Sequence, residues 1–139
     1  MIDTRTAPYA ALLLRVALGV MFIAHGLLKL LVFTLPGTAQ FFESVGFPGF
    51  LAYVVTAAEL GLGALLVLGV HTRLAALAGI PILLGAAAVH LGNGWVFSAP
   101  DGGWEYPVFL AVTALVQALL GDGAHALKTS RLAVRAPAV

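Results

Sequence analysis

Six side chains able to do acid–base or ligand chemistry lie in or beside strongly apolar stretches: His25, Lys29, Glu59, His90, Asn93 and Glu105. His25 and Lys29 stand four residues apart in FIAHGLLKL, a spacing that puts both on one face of a helix. A histidine titrates near neutrality, a lysine offers three donors, and a carboxylate can hold or release a proton. Such a set suits hydrogen bonding to a carbonyl or an anion, coupled to movement of a proton. Glu59, His25 and Lys29 are the candidate catalytic groups, and all six are candidate ligand-binding residues. A carboxylate in mid-membrane costs about 2.5–3.5 kcal/mol on insertion scales. An interhelical polar pair returns about 0.6 kcal/mol on average. Packing alone therefore does not account for Glu59.

The elements that must position these groups are membrane helices. Of the 139 residues, 61% are hydrophobic and 9% charged, and the mean hydropathy is +1.04. A soluble domain of this size carries about 25% charge, so most of this chain has lipid as its solvent. Four runs have the apolar length to cross a bilayer: about 9–32, 50–68, 74–91 and 105–120. Each is expected as a helix, because a lone span must satisfy its own backbone. The first run is too long for the core of a signal peptide, and no small-residue cleavage site follows it. The fold expected is an all-α membrane protein, an antiparallel bundle of four transmembrane helices over residues 1–125. A tail over 126–139, short interfacial helix or disordered, follows it. The segment about 38–46, with Phe41 and Phe42, is expected to lie flat at the interface. Trp95 and Trp104 are expected near the membrane surface.

Orientation follows from the basic residues, of which there are 7. Arg5, Arg15, Arg73, Lys128, Arg131 and Arg135 fall on the side of the termini, and Lys29 falls on the other. By the positive-inside rule both termini are expected in the cytoplasm of a bacterium, with the chain in its inner membrane. On a wheel of 100° per residue, Arg15, Phe22, His25 and Lys29 share a stripe of roughly 80°. Glu59 shares a stripe with Ala52, Thr56 and Gly63, which reads as a helix–helix contact face. Pro81 is expected to bend the third helix. The six candidate residues all fall between mid-membrane and the side away from the termini. One polar cavity there, with Glu59 at its floor, is the economical arrangement. Arg15, His71 and Arg73 read as snorkelling or topology-setting residues, with a turn inward to Glu59 as the alternative for Arg15. Thr113 and Gln117 read as an interhelical polar pair.

Several chemistries are excluded. There is no cysteine, so disulfides, thiolate metal sites and cysteine nucleophiles are out. No His-x-x-His or Glu-x-x-His pair supports a metal cage, and no metal is expected. A net charge of +1 implies no nucleic-acid partner. The glycines of GLGALLVLG lie inside a span and do not form a phosphate loop.

Taken in order, LLLRVALGVMFIAHGLLKL, AELGLGALLVLGVHTRLAAL, VHLGNGWVF and GGWEYPVFL resemble the DoxX family of small four-helix membrane proteins. The resemblance covers about Ala10 to Gly121. It implies membrane redox chemistry: relatives resemble quinone-reducing subunits of a thiosulfate-oxidising enzyme, and others are associated with oxidative-stress and thiol-handling partners. Distant relatives act as membrane chaperones. The expectation is thus a quinone-linked redox or redox-accessory membrane subunit, with no intrinsic cofactor and with a quinone or small anion as ligand. His25 and Lys29 would hydrogen-bond a quinone carbonyl and Glu59 would relay the proton. The electrons would come from a redox partner protein or a small reductant. A non-enzymatic scaffold or chaperone subunit is the rival, and a small transporter a third reading. Gly61 and Gly63 are candidates for a homo-oligomer interface.

Overall fold

The computed structural model describes residues 3–130. The chain is helical, with no strand among the described residues. Helix α1 spans Ala7–Leu27, with Pro8 in its first turn, where a missing N–H costs nothing. It runs on into a five-residue π-helical turn, Leu28–Val32, closed by Phe33 N–H donating to Leu28 O at 2.9 Å. Helix α2 spans Leu35–Ser44 and is capped by the Thr34 hydroxyl, which accepts from Gly37 N–H at 3.3 Å. Helices α3 (Leu51–Leu68), α4 (Thr72–His90) and α5 (Glu105–Leu120) follow. Helix α4 runs unbroken through Pro81.

Three helical stretches have the length and apolarity to cross a membrane: Ala7–Val32, Leu51–Leu68 and Thr72–Asn93. The fourth expected span is a 16-residue helix. At 1.5 Å per residue it reaches about 24 Å, short of a hydrocarbon core of about 30 Å. A glycine-rich loop before it and Gly121, at φ +94°, after it set that length. Large apolar side chains point outward, among them Leu13, Leu31 and Leu119, each about 70% exposed, while the core is rich in alanine. That inverted pattern belongs to a protein solvated by lipid, where small residues let helices approach.

Helix α1 packs chiefly on α3, and α4 on α5; α3 and α4 meet next, and α1 and α5 over a shorter seam. The α1 and α3 register is antiparallel: Arg15 lies by Leu66, Gly19 by Gly63 and Lys29 by Glu59. A Cβ on Gly19 would come within 2.8 Å of Gly63 O, so the two backbones nearly touch. The small-residue face expected on α3 is thus used against α1. Gly63 is consumed inside the subunit and is not free for an oligomer interface, whereas Gly61 faces open space.

At the end that holds the start of α1, the α3–α4 turn and residues 122–130, charged side chains cap helix ends. Helix α3 stops at Gly69, φ +69°, with Gly69 N–H donating to Leu66 O and Val70 N–H to Leu65 O, a Schellman motif. Arg15, 1% exposed, donates to Leu66 O (3.0 Å), Val67 O (2.8 Å) and Ala124 O (2.8 Å). It neither snorkels nor reaches Glu59. Arg73 donates to Ala118 O at 2.8 Å and Leu119 O at 3.3 Å, closing the end of α5. The Asp122 carboxylate accepts from Thr72 N–H (3.1 Å), Ser130 N–H (2.8 Å) and the Ser130 hydroxyl (2.8 Å), capping α4 from outside its own sequence. Burial pushes the Asp122 carboxyl up, but the hydrogen bonds from Ser130 and Thr72 outweigh it and hold the group below the usual carboxylate range.

These bonds dock the start of the tail. Residues 124–130 are neither helical nor detached: Lys128 N–H donates to Gly69 O, His71 N–H to Lys128 O, and Leu127 N–H to Leu68 O. Arg131 and Arg135, which carry part of the orientation argument, lie outside the described residues. Thr113 and Gln117 do not pair. The Thr113 hydroxyl donates to Phe109 O, and Gln117 Nε2 to Gly121 O.

Candidate functional site

The opposite half of the bundle encloses a cavity of about 1040 Å³ walled by α1, the π turn, α2, α3, α4, the loop before α5, and α5. Its lining is mostly apolar, with His25, Lys29, Glu59, His90 and Tyr106 as the titratable residues. A large apolar pocket with a few convergent polar groups is the usual form of a small-molecule site.

Lys29 enters from the second position of the π turn and Glu59 from the middle of α3. Lys29 Nζ lies 2.8 Å from both carboxylate oxygens of Glu59. The side chains are 18% and 7% exposed, so the pair is largely shielded. π turns are rare and concentrate at functional sites. This one is braced by Thr38 of α2, whose hydroxyl donates to Thr34 O at 2.9 Å and lies 3.4 Å from Lys29 O. An ammonium has three N–H donors, and two of them engage Glu59. The third has no protein acceptor among the described residues.

His25, one turn before Lys29, holds its Nδ1 2.9 Å from Met21 O. A carbonyl only accepts, so Nδ1 carries the proton and Nε2 is left as the ring's available nitrogen. Neutral His25 therefore presents an acceptor to the cavity, and protonated His25 a donor. His90 lines the wall from the end of α4. Of the six residues singled out by sequence, four meet at the cavity: His25, Lys29, Glu59 and His90.

Asn93 and Glu105 do not line it. Asn93 Nδ2 donates to Asp101 O (3.0 Å) and Gly102 O (2.9 Å) and lies 3.4 Å from His90 Nδ1. Glu105 Oε1 accepts from Phe97 N–H at 2.9 Å. Both fold the loop that carries Trp95 and Trp104, whose rings meet edge-on with centroids 4.5 Å apart. Their polarity serves backbone groups that a loop leaves unpaired.

Tyr106 is not among the six candidate site residues. Its hydroxyl donates to Met21 Sδ at 3.1 Å and bridges α5 to α1 at the cavity wall. The available signal was helical spacing: Tyr106 and Leu110 stand four apart and both face the cavity. The segment about 38–46, expected at an interface, falls largely in α2, and its Phe41 and Phe42 line one side of the cavity. No cluster of three metal-ligating residues occurs among the described residues.

The DoxX family model matches residues 10–92, more than half of the chain and all four of the cavity-lining candidates. The chain belongs to the DoxX family. It is also 38% identical over 112 residues to a Bacillus subtilis (strain 168) protein named "Putative oxidoreductase CatD", covering 80% of this chain and 78% of that one. No solved structure matches it. Helix α5 and Tyr106 lie beyond the stretch that the DoxX model covers.

Proposed function

We propose that this DoxX protein is a quinone-linked redox or redox-accessory subunit of a bacterial inner membrane, and that the cavity takes the quinone ring. The observation that carries the reading is the shielded Lys29–Glu59 pair at the wall of a large apolar cavity beside His25. An apolar cavity fits a lipid-soluble ring, and the uncommitted N–H of Lys29 fits its carbonyl. The oxidoreductase name of the Bacillus subtilis relative is consistent with this chemistry.

Reduction of a quinone takes two electrons and two protons. The electrons come from a partner protein or a small soluble reductant. The residues here serve the protons and the charge. Lys29 donates a hydrogen bond to the carbonyl oxygen and stabilises negative charge as it grows. His25 gives up a proton through Nε2 when protonated, and accepts from the quinol hydroxyl when neutral. Glu59 balances the Lys29 charge, and it would relay the second proton, taking it from solvent and passing it to the reduced ring oxygen. Four crossings, with both termini cytoplasmic, complete the arrangement. Arg5, Arg73 and Lys128 at the tail end support it.

Quinone binding by purified wild type, Lys29→Ala, Glu59→Gln and His25→Ala in nanodiscs tests the reading. Binding by wild type with at least tenfold loss in Lys29→Ala and Glu59→Gln is expected. Equal binding in all four proteins, or none in any, overturns it and leaves the cluster a structural one.

A further inference from the structure

A second cavity, of about 370 Å³, opens between α1 and α5. Leu14 and Ala17 line it on one side and Phe109, Val112 and Val116 on the other. Its one polar side chain, Thr113, turns its hydroxyl proton back to Phe109 O. Leu18, Met21 and Leu110 line both this groove and the main cavity, so the two share a wall. Tyr106 bonds to Met21 Sδ at that junction.

The order along α1 runs from polar to apolar. Lys29 and His25 stand at one end, Met21 and Leu18 at the shared wall, and Ala17 and Leu14 in the groove. From His25 to Leu14 the helix advances about 16 Å. The groove opens to the lipid, because Val112 (55%) and Val116 (41%) are exposed on the outer surface. A ring bound near Lys29 and Glu59 with a hydrocarbon chain attached would meet a continuous apolar track leading to the membrane.

We infer that the α1–α5 groove holds the hydrocarbon chain of the ligand whose ring occupies the main cavity, so that the protein takes long-chain quinones and admits them sideways from the bilayer. The inference rests on the quinone reading above. The groove accounts for why α1 and α5 pack less fully than α1 and α3: a seam that must pass a chain cannot be filled by side chains.

Ring-matched pairs test it: menadione against phylloquinone, and the tail-less ubiquinone ring against decylubiquinone. Binding to the protein in nanodiscs is measured after correction for partition into empty nanodiscs. Wild type should bind the chain-bearing member at least tenfold more tightly. Ala17→Trp, which fills the groove from an exposed position, should remove that advantage and leave tail-less binding within twofold. Val112→Trp approaches from α5 and should do the same, while Leu13→Trp, on the lipid face outside the groove, should change neither. If all quinones bind but the chain gives no advantage in wild type, the groove inference falls, the ring site stands, and the groove belongs to bilayer lipid. If no quinone binds wild type, the ring reading falls and takes the groove with it.

Discussion

The two ends of this bundle both bury charged side chains, but the partners differ. At the tail end Arg15, Arg73 and Asp122 are bonded to backbone groups, chiefly the open ends of α3, α5 and α4. At the cavity end Lys29 and Glu59 are bonded to each other beside about 1040 Å³ of unfilled space. A charge that satisfies fixed carbonyls or amides has a structural task and no freedom to do another. A charge held by a second titratable side chain can be redistributed when a ligand or proton arrives. Intramembrane charge alone therefore does not mark a functional site; the identity of the partner does.

The contrast breaks most readily at Arg15. Arg15→Ala leaves the Val67 and Ala124 carbonyls without their side-chain donor, at about 1–3 kcal/mol each, and leaves Leu66 O with Gly69 N–H alone. A loss of about 3–5 kcal/mol, read as a fall in Tm in detergent, is expected, with quinone binding retained below the melt. Arg15→Lys should recover only part, since an ammonium lacks the planar fork that reaches separate acceptors. Lost binding with unchanged stability would place Arg15 with the functional charges.

Asp122→Asn comes next, at about 2 kcal/mol from weakened hydrogen bonds to a charged acceptor. It also tests a pH dependence. Because the folded-state pKa of Asp122 lies below the ordinary value, the folded protein binds fewer protons than the unfolded one. Its contribution is complete above the unfolded value of about 3.9 and is lost as pH falls through the folded value. Stability against pH should therefore fall on the acid side in wild type and flatten in Asp122→Asn. An unchanged acid limb would show that ionised Asp122 does not stabilise its contacts with Thr72 and Ser130.

The cavity pair should behave the other way. Replacing both partners, Lys29→Met with Glu59→Leu, removes the desolvation cost together with the attraction. Stability should hold within about 1 kcal/mol or rise. Quinone affinity should drop at least tenfold, about 1.4 kcal/mol. A stable double variant that still binds would make the pair packing. The smallest effect is expected from Asn93→Ala, which loosens the loop under His90: about 1 kcal/mol or less in stability and under threefold in affinity. A larger loss of affinity than this would return Asn93 to the binding site.

Much of this was legible in the sequence because it depends on local pattern. Hydropathy located the helices to within a few residues, since lipid forces each apolar run to close its own hydrogen bonds. The i, i+4 spacing put His25 and Lys29 on one face, and the cost of a mid-membrane carboxylate singled out Glu59. The tertiary structure decided the partners. It gave Arg15 to α3 rather than to water or Glu59, sent Asn93 and Glu105 to the loop, and brought in Tyr106. It bound residues 124–130 to the bundle. Those outcomes turn on which backbone groups are left open when helices meet, and on a few ångströms of register between segments far apart in the chain. Hydropathy and periodicity carry no term for either. The sequence by itself determined that these polar groups lie inside a lipid-solvated helical protein; the packing determined which of them close a helix end and which face an open cavity.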